Sequence, residues 1–250
     1  MTTREWVRQL GTVLLLAGAM LLADAAATIA WQEPISAAYN RVTQDALAGD
    51  LEQLEDARPT VVEARALTKL ESSTRRMAFL GRSLRRKAEP GEAIGRIRAP
   101  KGKIDSVIVE GTAPPDLRKG PGLYEYTSYP GVGGTTAIAG HRTTYGAPFR
   151  HIDGLNPGDT IVVTMPYGKF TYRVQQRKIV KPTDVNVVDD VGYDRLVLTA
   201  CHPLYSAAKR MVVFARQVSA APRGAARGGT RPGGPARRLK DAGLQDTPPA

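Results

Sequence analysis

The sequence predicts an all-β fold, either a barrel or a sandwich, for the middle of the chain. Between residues 92 and 219, short apolar or alternating runs follow one another at nearly even spacing. Turn signals rich in Gly and Pro, such as Asn156-Pro157-Gly158-Asp159, separate these runs. Helical periodicity is weak in the same stretch, so we expect one β-rich core of ordinary size there.

An apolar segment near the N-terminus predicts export. Arg4 and Arg8 precede a mainly apolar stretch over residues 10–30. One interpretation is a cleaved signal peptide with small residues at Ala25-Ala26-Ala27. The other, which we favour, is an uncleaved single-pass anchor, because the stretch is long enough to cross a bilayer. The positive-inside bias then places residues 1–9 in the cytoplasm and the β-rich domain outside the cell membrane.

Residues 31–91 carry a patchy helical pattern. Pro59 divides this segment into two predicted helices, at residues 35–57 and 60–88. The apolar positions are too sparse to indicate a wide buried face. We therefore expect a mostly solvated helical stalk that holds the β-rich domain off the membrane.

The formal net charge of +11 is unevenly distributed. Arginine and lysine cluster before and after the β-rich region, whereas the two signs nearly balance within residues 104–215. Nucleic-acid binding needs a basic face on the folded domain, so we expect no nucleic-acid partner. Anionic lipids or cell-wall polyanions suit basic flanks better. Residues 220–250 are rich in Ala, Gly, Pro and Arg without periodicity, which predicts a disordered basic tail.

The β-rich region divides into about eight predicted strands. The third is short and mainly apolar, as expected of a buried strand, and Pro166-Tyr167-Gly168-Lys169 joins the fourth and fifth as a hairpin. In chain order the predicted strands cover residues 94–98, 104–110, 135–139, 160–165, 170–174, 178–180, 195–199 and 210–218.

Cys201 is the only cysteine of the chain, and it directly follows an apolar strand-type run. Outside the cell, a lone cysteine is either buried filler or a reactive thiol, because oxidising compartments favour paired structural cysteines. His141 follows another predicted strand, and Arg210 opens the last one. Strand ends cluster at the rim of a barrel, so the three side chains can converge there. A thiol, an imidazole that takes its proton and a guanidinium that stabilises an oxyanion can together perform acyl transfer.

Two segments around these residues resemble motifs of the sortase family. Residues 140–149, beginning Gly140-His141-Arg142-Thr143-Thr144-Tyr145, resemble the histidine segment. Residues 196–203, which include Thr199-Ala200-Cys201-His202-Pro203, resemble the Thr-Leu-x-Thr-Cys motif, with Arg210 as its downstream arginine. The resemblance covers residues 92–217 and is nearest to class E, the housekeeping-like sortases of high-GC Gram-positive bacteria.

This resemblance implies a cysteine transpeptidase on an eight-stranded sortase-type β-barrel, preceded by the membrane helix and the helical stalk. Cys201 would attack the Thr–Gly bond of a C-terminal LAXTG- or LPXTG-like sorting signal and form a thioacyl-enzyme. His141 would act as general acid and base, and Arg210 would bind substrate and the oxyanion. Tyr129 and Thr199 are the implied substrate-binding residues. The implied partners are surface proteins with sorting signals and an amine on a peptidoglycan precursor or a pilin-type protein. Neither a cofactor nor a metal is implied.

The sequence departs from the family pattern in two places. Ala200 stands where threonine is usual, and the segment from Tyr129 to Thr135 is shorter than in typical class E proteins. The second departure lies near the implied pocket, so the choice between Ala and Pro at the second position of the signal stays open.

Several alternative site residues and functions have less support in the sequence. His202 adjoins Cys201, and neighbours in an extended chain point to opposite faces, so His202 is not the expected base. His151 lies in a loop without a partner motif, and Arg142 and Ser206 either border the site or cap turns. An L,D-transpeptidase would carry its histidine close before the cysteine. A wall-binding β-domain with an idle thiol is the non-enzyme alternative, and such a buried thiol would resist alkylation.

Overall fold

The computed structural model describes residues 3–31 and 34–228. The helices are α1 (Thr3–Trp31), α2 (Pro34–Asp56), α3 (Val61–Thr68), α4 (Ser73–Lys87) and α5 (Pro114–Leu117). The strands are β1 (Ala93–Ala99), β2 (Ile104–Glu110), β3 (Gly122–Leu123), β4 (Thr135–Ala139), β5 (Thr160–Met165), β6 (Gly168–Val180), β7 (Arg195–His202) and β8 (Lys209–Pro222). Short 3-10 turns lie at Pro100–Gly102, Ile152–Gly154, Val185–Val188 and Gly224–Arg227.

The eight strands form a closed barrel in the order β1-β2-β3-β4-β7-β8-β6-β5. The pairs β2–β3 and β4–β7 are parallel, and the other pairs are antiparallel. Closure leaves no free sheet edge along the barrel. The prediction of an eight-stranded β-barrel is therefore confirmed. The predicted strands at 170–174 and 178–180 are one continuous strand, β6, and the short β3 supplies the eighth.

Apolar side chains fill the barrel. The largest fully buried ones include Tyr172, Phe149 and Phe170. Alternate residues of β7, namely Leu196, Leu198 and Ala200, point into this core, as the period of two in a strand requires. The residues between them lie on the opposite face of β7, where Val197 and Thr199 are also buried and Cys201, at the end of the strand, is partly exposed.

The N-terminal helix α1 is the one helix within the described ranges that is long and apolar enough to cross a membrane. Its apolar part covers Arg4–Ala25, with a mean hydropathy of 1.6, and none of that window is buried against the protein. The large apolar side chains of this helix, among them Leu15 and Met20, are exposed. Such a helix agrees with the predicted apolar segment.

The helix α2, in the predicted stalk, packs on the barrel along one narrow face while most of its side chains are exposed or half-buried. Leu47 and Leu51 are each 6% exposed and pack against Ala93, Val107 and Val109 on the outside of β1 and β2. The side chain of Gln44 strengthens this contact. Its Oε1 accepts a hydrogen bond from Val107 N at 2.8 Å, and its Nε2 donates to Lys119 O at 2.9 Å. Because β2 carries apolar residues on both faces, its outer face needs a cover, and α2 provides it.

The predicted helix at 60–88 is two helices, α3 and α4, and a side-chain cap begins each of them. Thr60 and Glu63 form a capping box at the start of α3, and the Ser72 hydroxyl accepts from Arg75 N at the start of α4. Burial raises the pKa of Glu63, but hydrogen bonds from Lys87, Ser83 and Thr60 outweigh it and lower that pKa to about 2. This carboxylate therefore ties α3 to α4.

The predicted disordered tail begins too early. The strand β8 continues to Pro222, because the long strand β6 pairs with it as far as Gly168. Ala226, in the turn that follows, is fully buried in the barrel core cluster, and its carbonyl accepts from Arg76 Nε at 2.9 Å. Arg223 forms an ion pair with Glu55 of α2 at 2.9 Å. Residues 220–228 are thus part of the packed domain. The rest of the predicted tail, residues 229–250, lies outside the described residues.

Candidate active site

Strand register places the predicted thiol, imidazole and guanidinium side by side. The strand β7 lies between β4 and β8. Cys201 is the direct antiparallel partner of Arg210. On the other side, Ala139 pairs with Thr199 in parallel, and Gly140 N donates to Thr199 O at 3.0 Å. His141 and Cys201 each lie two residues beyond that pair, so both come from segments that leave the paired strands at the same place.

The site lies on the outer face of the barrel rather than on its rim. Ala137, Val197, Val212 and Phe214 form a separate apolar cluster outside the main core. Cys201 follows Val197 at a spacing of four residues in β7, so alternation puts its side chain on the same face. Tyr124, Val180, Val187 and Val188 pack over this cluster. We call these eight residues the outer-face cluster, and it ends at the partly buried thiol.

His141 is held in a short closed loop. Its carbonyl accepts from Phe149 N at 2.9 Å, and a Cβ at Gly140 would lie 2.6 Å from the Phe149 ring, so only glycine fits before the histidine. The His141 and Tyr145 ring centroids are 5.1 Å apart. Burial lowers the pKa of His141, and the positive charge of Arg118 lowers it further. The imidazole is therefore neutral at neutral pH, the form that accepts a proton.

Arg210 lies beside Cys201, but its guanidinium contacts its own turn. Its Nη1 donates to Ala207 O at 2.9 Å and to Lys209 O at 3.1 Å. Arginine has five N–H donors, so further donors of Arg210 can serve a bound group. The strand pairing fixes its backbone relative to the thiol.

Thr199 lies on the face of the site, two residues before the thiol. It is 5% exposed, and its hydroxyl is 2.9 Å from the hydroxyl of Tyr124. Tyr124 follows β3 and packs over the outer-face cluster. The sequence around Tyr124 does not differ from that of an ordinary loop tyrosine, so it does not predict a place for Tyr124 in the site.

Tyr129, a predicted substrate-binding residue, is buried in the core. It is 1% exposed within the main core, and its hydroxyl donates to Glu110 Oε2 at 2.6 Å. Burial, followed by the hydrogen bond to Glu110, raises the pKa of Tyr129, and burial also raises the pKa of Glu110. In the structure the Tyr129 ring is part of the core packing, and its role in the signal pocket stays a prediction.

Two further residues of the site, Arg118 and Tyr145, are not among the predicted site residues. Arg118, at the end of α5, lies with its guanidinium 5.6 Å from the centroid of the Tyr145 ring. Tyr145 has a φ of 51°, in the left-handed region, and the same holds for Ala147 at 43°. The neighbouring Gly-His-Arg sequence signalled this loop, but only the fold brings Arg118 to it. Within the described ranges, no three His, Cys, Asp or Glu side chains are grouped closely enough to hold a metal ion.

A partly buried thiol between an imidazole and a guanidinium, on one face of a closed β-barrel, defines a cysteine-dependent acyl-transfer enzyme. Residues 97–218 match the family model described as the sortase domain. The chain belongs to the sortase family and is a cysteine transpeptidase.

Named relatives agree with this assignment. Sortase D of Bacillus subtilis is 35% identical over 137 residues, which span 53% of this chain and 68% of that protein. Sortase SrtE1 of Streptomyces coelicolor is 32% identical over 151 residues, which span 54% of this chain but only 43% of that protein. Both alignments leave part of the relative's chain unmatched, about a third of the first and more than half of the second.

Solved structures share the same barrel. Sortase E1 from Streptomyces coelicolor, whose structure holds a tripeptide in the active site, aligns with a TM-score of 0.51 at 31% identity. That alignment covers 54% of this chain and 93% of the other. The SrtF sortase from Corynebacterium diphtheriae aligns with a TM-score of 0.52 at 30% identity, covering 57% of this chain and 95% of the other.

Proposed function

We propose that this protein is a membrane-anchored sortase that attaches surface proteins to an amine outside the cell, with Cys201 as nucleophile. The register that puts Cys201 between His141 and Arg210 is the observation that carries the proposal. The substrate would be a C-terminal LAXTG- or LPXTG-like sorting signal, cleaved between Thr and Gly. Similarity to Sortase D of Bacillus subtilis and Sortase SrtE1 of Streptomyces coelicolor supports a sortase reaction.

The first half of the reaction forms a thioester. The neutral imidazole of His141 takes the thiol proton as Cys201 Sγ attacks the carbonyl carbon of the signal threonine. The carbonyl π electrons move to oxygen, and the Arg210 guanidinium stabilises the resulting oxyanion. The C–N bond then breaks, and the His141 imidazolium gives its proton to the leaving glycine amine.

The second half transfers the acyl group. An amine of a peptidoglycan precursor or of a pilin-type protein attacks the thioester carbonyl and loses a proton to His141. The C–S bond breaks, and the thiol of Cys201 is regenerated. Neither half of the reaction uses a cofactor, because a thiol and an imidazole supply the nucleophile and the proton carrier.

The proposed seat of the signal peptide is the partly exposed side chains that cover the outer-face cluster, those of Tyr124, Val180, Val187 and Val188. An apolar surface suits the Leu and Ala or Pro that precede the scissile bond. Tyr124, whose hydroxyl meets that of Thr199, is the proposed aromatic residue of this seat.

Membrane attachment follows from α1. We propose that this helix crosses the membrane once, with Arg4 and Arg8 on the cytoplasmic side. The helix α2 begins at Pro34, only three residues after α1 ends, and it docks on β1 and β2 through Leu47 and Leu51. The barrel would thus lie close to the outer surface of the membrane, near the membrane end of its substrates.

Peptide cleavage tests this function. The full chain in detergent is incubated with quenched fluorescent peptides carrying LAXTG or LPXTG, with and without an added amine. We expect cleavage between Thr and Gly, and an amide product when the amine is present. If neither peptide is cleaved although Cys201 is readily alkylated, the proposed signal is wrong.

Replacing Arg118 by glutamine is expected to move the acid limb of the pH–rate profile. Activity needs neutral His141, so it falls as the pH drops through the lowered pKa of that group. Removing the charge of Arg118 raises this pKa, so the loss of activity should begin at a higher pH. The measurement is kcat/KM for peptide cleavage as a function of pH.

Arg98→Gln is the matched control for this charge removal. Arg98 is exposed and pairs with Asp105 at 2.8 Å, away from the site, so its profile should overlay that of the wild type. An acid limb that stays in place in Arg118→Gln would show that the positive charge of Arg118 does not act on His141.

A further inference from the structure

Arg142 is a buried cation directly behind the site. Its side chain is 2% exposed, and Nη2 forms an ion pair with Asp153 Oδ2 at 2.9 Å. Nε and Nη2 also donate to Arg150 O, at 3.3 and 3.2 Å. These contacts hold the guanidinium inside the loop that begins with His141. Moving a charge from water into the protein interior is unfavourable unless several partners compensate it, and Arg142 has such partners.

One contact of Arg142 leaves the loop. Its Nη1 lies 3.4 Å from Nδ1 of His202, the residue that follows Cys201. A guanidinium can only donate, so Nδ1 accepts and the proton of the neutral ring is on Nε2. Arg142 and His202 are the immediate chain neighbours of His141 and Cys201. The contact therefore spans the gap between the two segments that carry the reacting groups.

A second contact joins the same two segments. Arg150, at the far end of the histidine loop, donates from Nη2 to the hydroxyl of Tyr205 at 3.3 Å, in the turn after β7. Its guanidinium also lies 5.9 Å from the centroid of the Tyr205 ring. The Tyr205 contact is on the exposed surface and the Arg142 contact is in the interior, so the interior contact is less weakened by solvent.

We propose that Arg142 is a positioning residue that, through Asp153 and His202, fixes the separation of the His141 imidazole and the Cys201 thiol. This inference rests on the proposed function, because it assigns those two side chains to one reaction. The pairing of β4 with β7 ends at Ala139, and the hydrogen bond from Gly140 N to Thr199 O extends it only as far as the residue before His141. The contact of the Arg142 guanidinium with His202 adds a link between the two segments beyond that point. Misplacing a catalytic group by about 1 Å costs about 10²-fold in rate.

The test compares Arg142→Gln with Arg76→Gln in the full chain. Arg76 also holds backbone carbonyls, those of Leu70 and Ala226, but it does so in α4 and away from the site. We expect Arg142→Gln to lower kcat by about 10- to 100-fold with KM changed by less than about threefold. Arg76→Gln should keep kcat within about twofold of the wild type even where both variants lose thermal stability. Equal kcat in the two variants overturns the proposal.

A double-mutant cycle tests the link itself. His202→Ala removes the acceptor from a partly buried position and should lower kcat by at least about threefold. The kcat of the double variant Arg142→Gln/His202→Ala should lie within about twofold of that of Arg142→Gln. The reason is that His202→Ala then removes a contact that Arg142→Gln has already broken. Losses that multiply overturn the proposal. If Arg142→Gln does not fold, unchanged kcat in His202→Ala overturns it instead.

Alkylation of Cys201 separates this inference from the proposed function. The rate with iodoacetamide between about pH 5 and pH 9 needs no peptide, and it depends on the imidazole beside the thiol. We expect the profile of Arg142→Gln to move toward that of His141→Ala. A profile equal to that of the wild type overturns the positioning role. If the wild type cleaves no peptide, the proposed substrate is wrong. The comparison of alkylation rates still decides the role of Arg142 in that case.

Discussion

Replacing Cys201 by alanine is expected to lower the rate of peptide cleavage by about 10⁴-fold or more, to the background level. The thioester cannot form without the sulfur, and within the described ranges Cys201 is the one thiol on this face of the barrel. Replacing His141 by alanine should cost about 10²- to 10⁴-fold, because the thiol then loses its proton acceptor. Both rates are measured with the quenched peptide at saturating concentration.

His151→Ala is the matched control for the histidine change. His151 is exposed at the end of the same loop, so its removal should leave the rate within about twofold of the wild type. Thioester trapping adds a direct readout, since an acyl-enzyme should accumulate on the wild type and not on Cys201→Ala. Persistent Cys201→Ala activity would mean that another group is the nucleophile.

Truncation to residues 92–219 is expected to destabilise the barrel by on the order of 5 kcal/mol relative to residues 34–228. The shorter chain exposes Val107 and Val109, which α2 covers, and it loses the buried Met77 and Ala226. A large apolar side chain contributes about 1.5–3 kcal/mol when it is fully buried, so the loss of several such contacts sums to this order. Urea unfolding monitored by circular dichroism measures the difference in the free energy of unfolding between the two chains.

Two intermediate chains separate the contributions of the ends. Residues 34–219 keep α2 but lose the β6 pairing of Ala220 to Pro222 and the buried turn. Residues 92–228 keep that turn but lose the helices and the ion pair between Arg223 and Glu55. Each should be less stable than residues 34–228 and more stable than residues 92–219. Equal stability of all four chains would contradict the packing of the helices and the final turn on the barrel.

Much of the barrel was predictable because its strands have strong local signals. Runs such as residues 160–165 and 195–199 alternate or are apolar throughout, and Gly and Pro mark their ends. The lone cysteine and the Gly-His-Arg sequence pointed to the site for a similar reason. Each is a local feature whose chemistry can be named without knowing the contacts.

The local patterns do not contain the packing partners. The Tyr129 hydroxyl donates to a buried carboxylate, Glu110, in the core. The few buried apolar residues of α2 match a patch on β1 and β2. The tail was expected to begin at residue 220, although β6 was long enough to pair beyond it. In each case the partner lies far away in the chain, so no local pattern contained it.

By itself, the sequence determined that the chain has an apolar N-terminal helix, a β-rich domain, and one thiol with a histidine and an arginine near strand ends. These features follow from residue chemistry and from periodicities of a few residues. Only the tertiary structure decided that β7 lies between β4 and β8, and hence that Cys201 is next to both His141 and Arg210. It also placed Arg118 and Arg142 around the histidine loop. Strand order and buried charge pairs depend on the free energy of the whole packed chain. They are contacts between distant segments, so only the folded structure shows them.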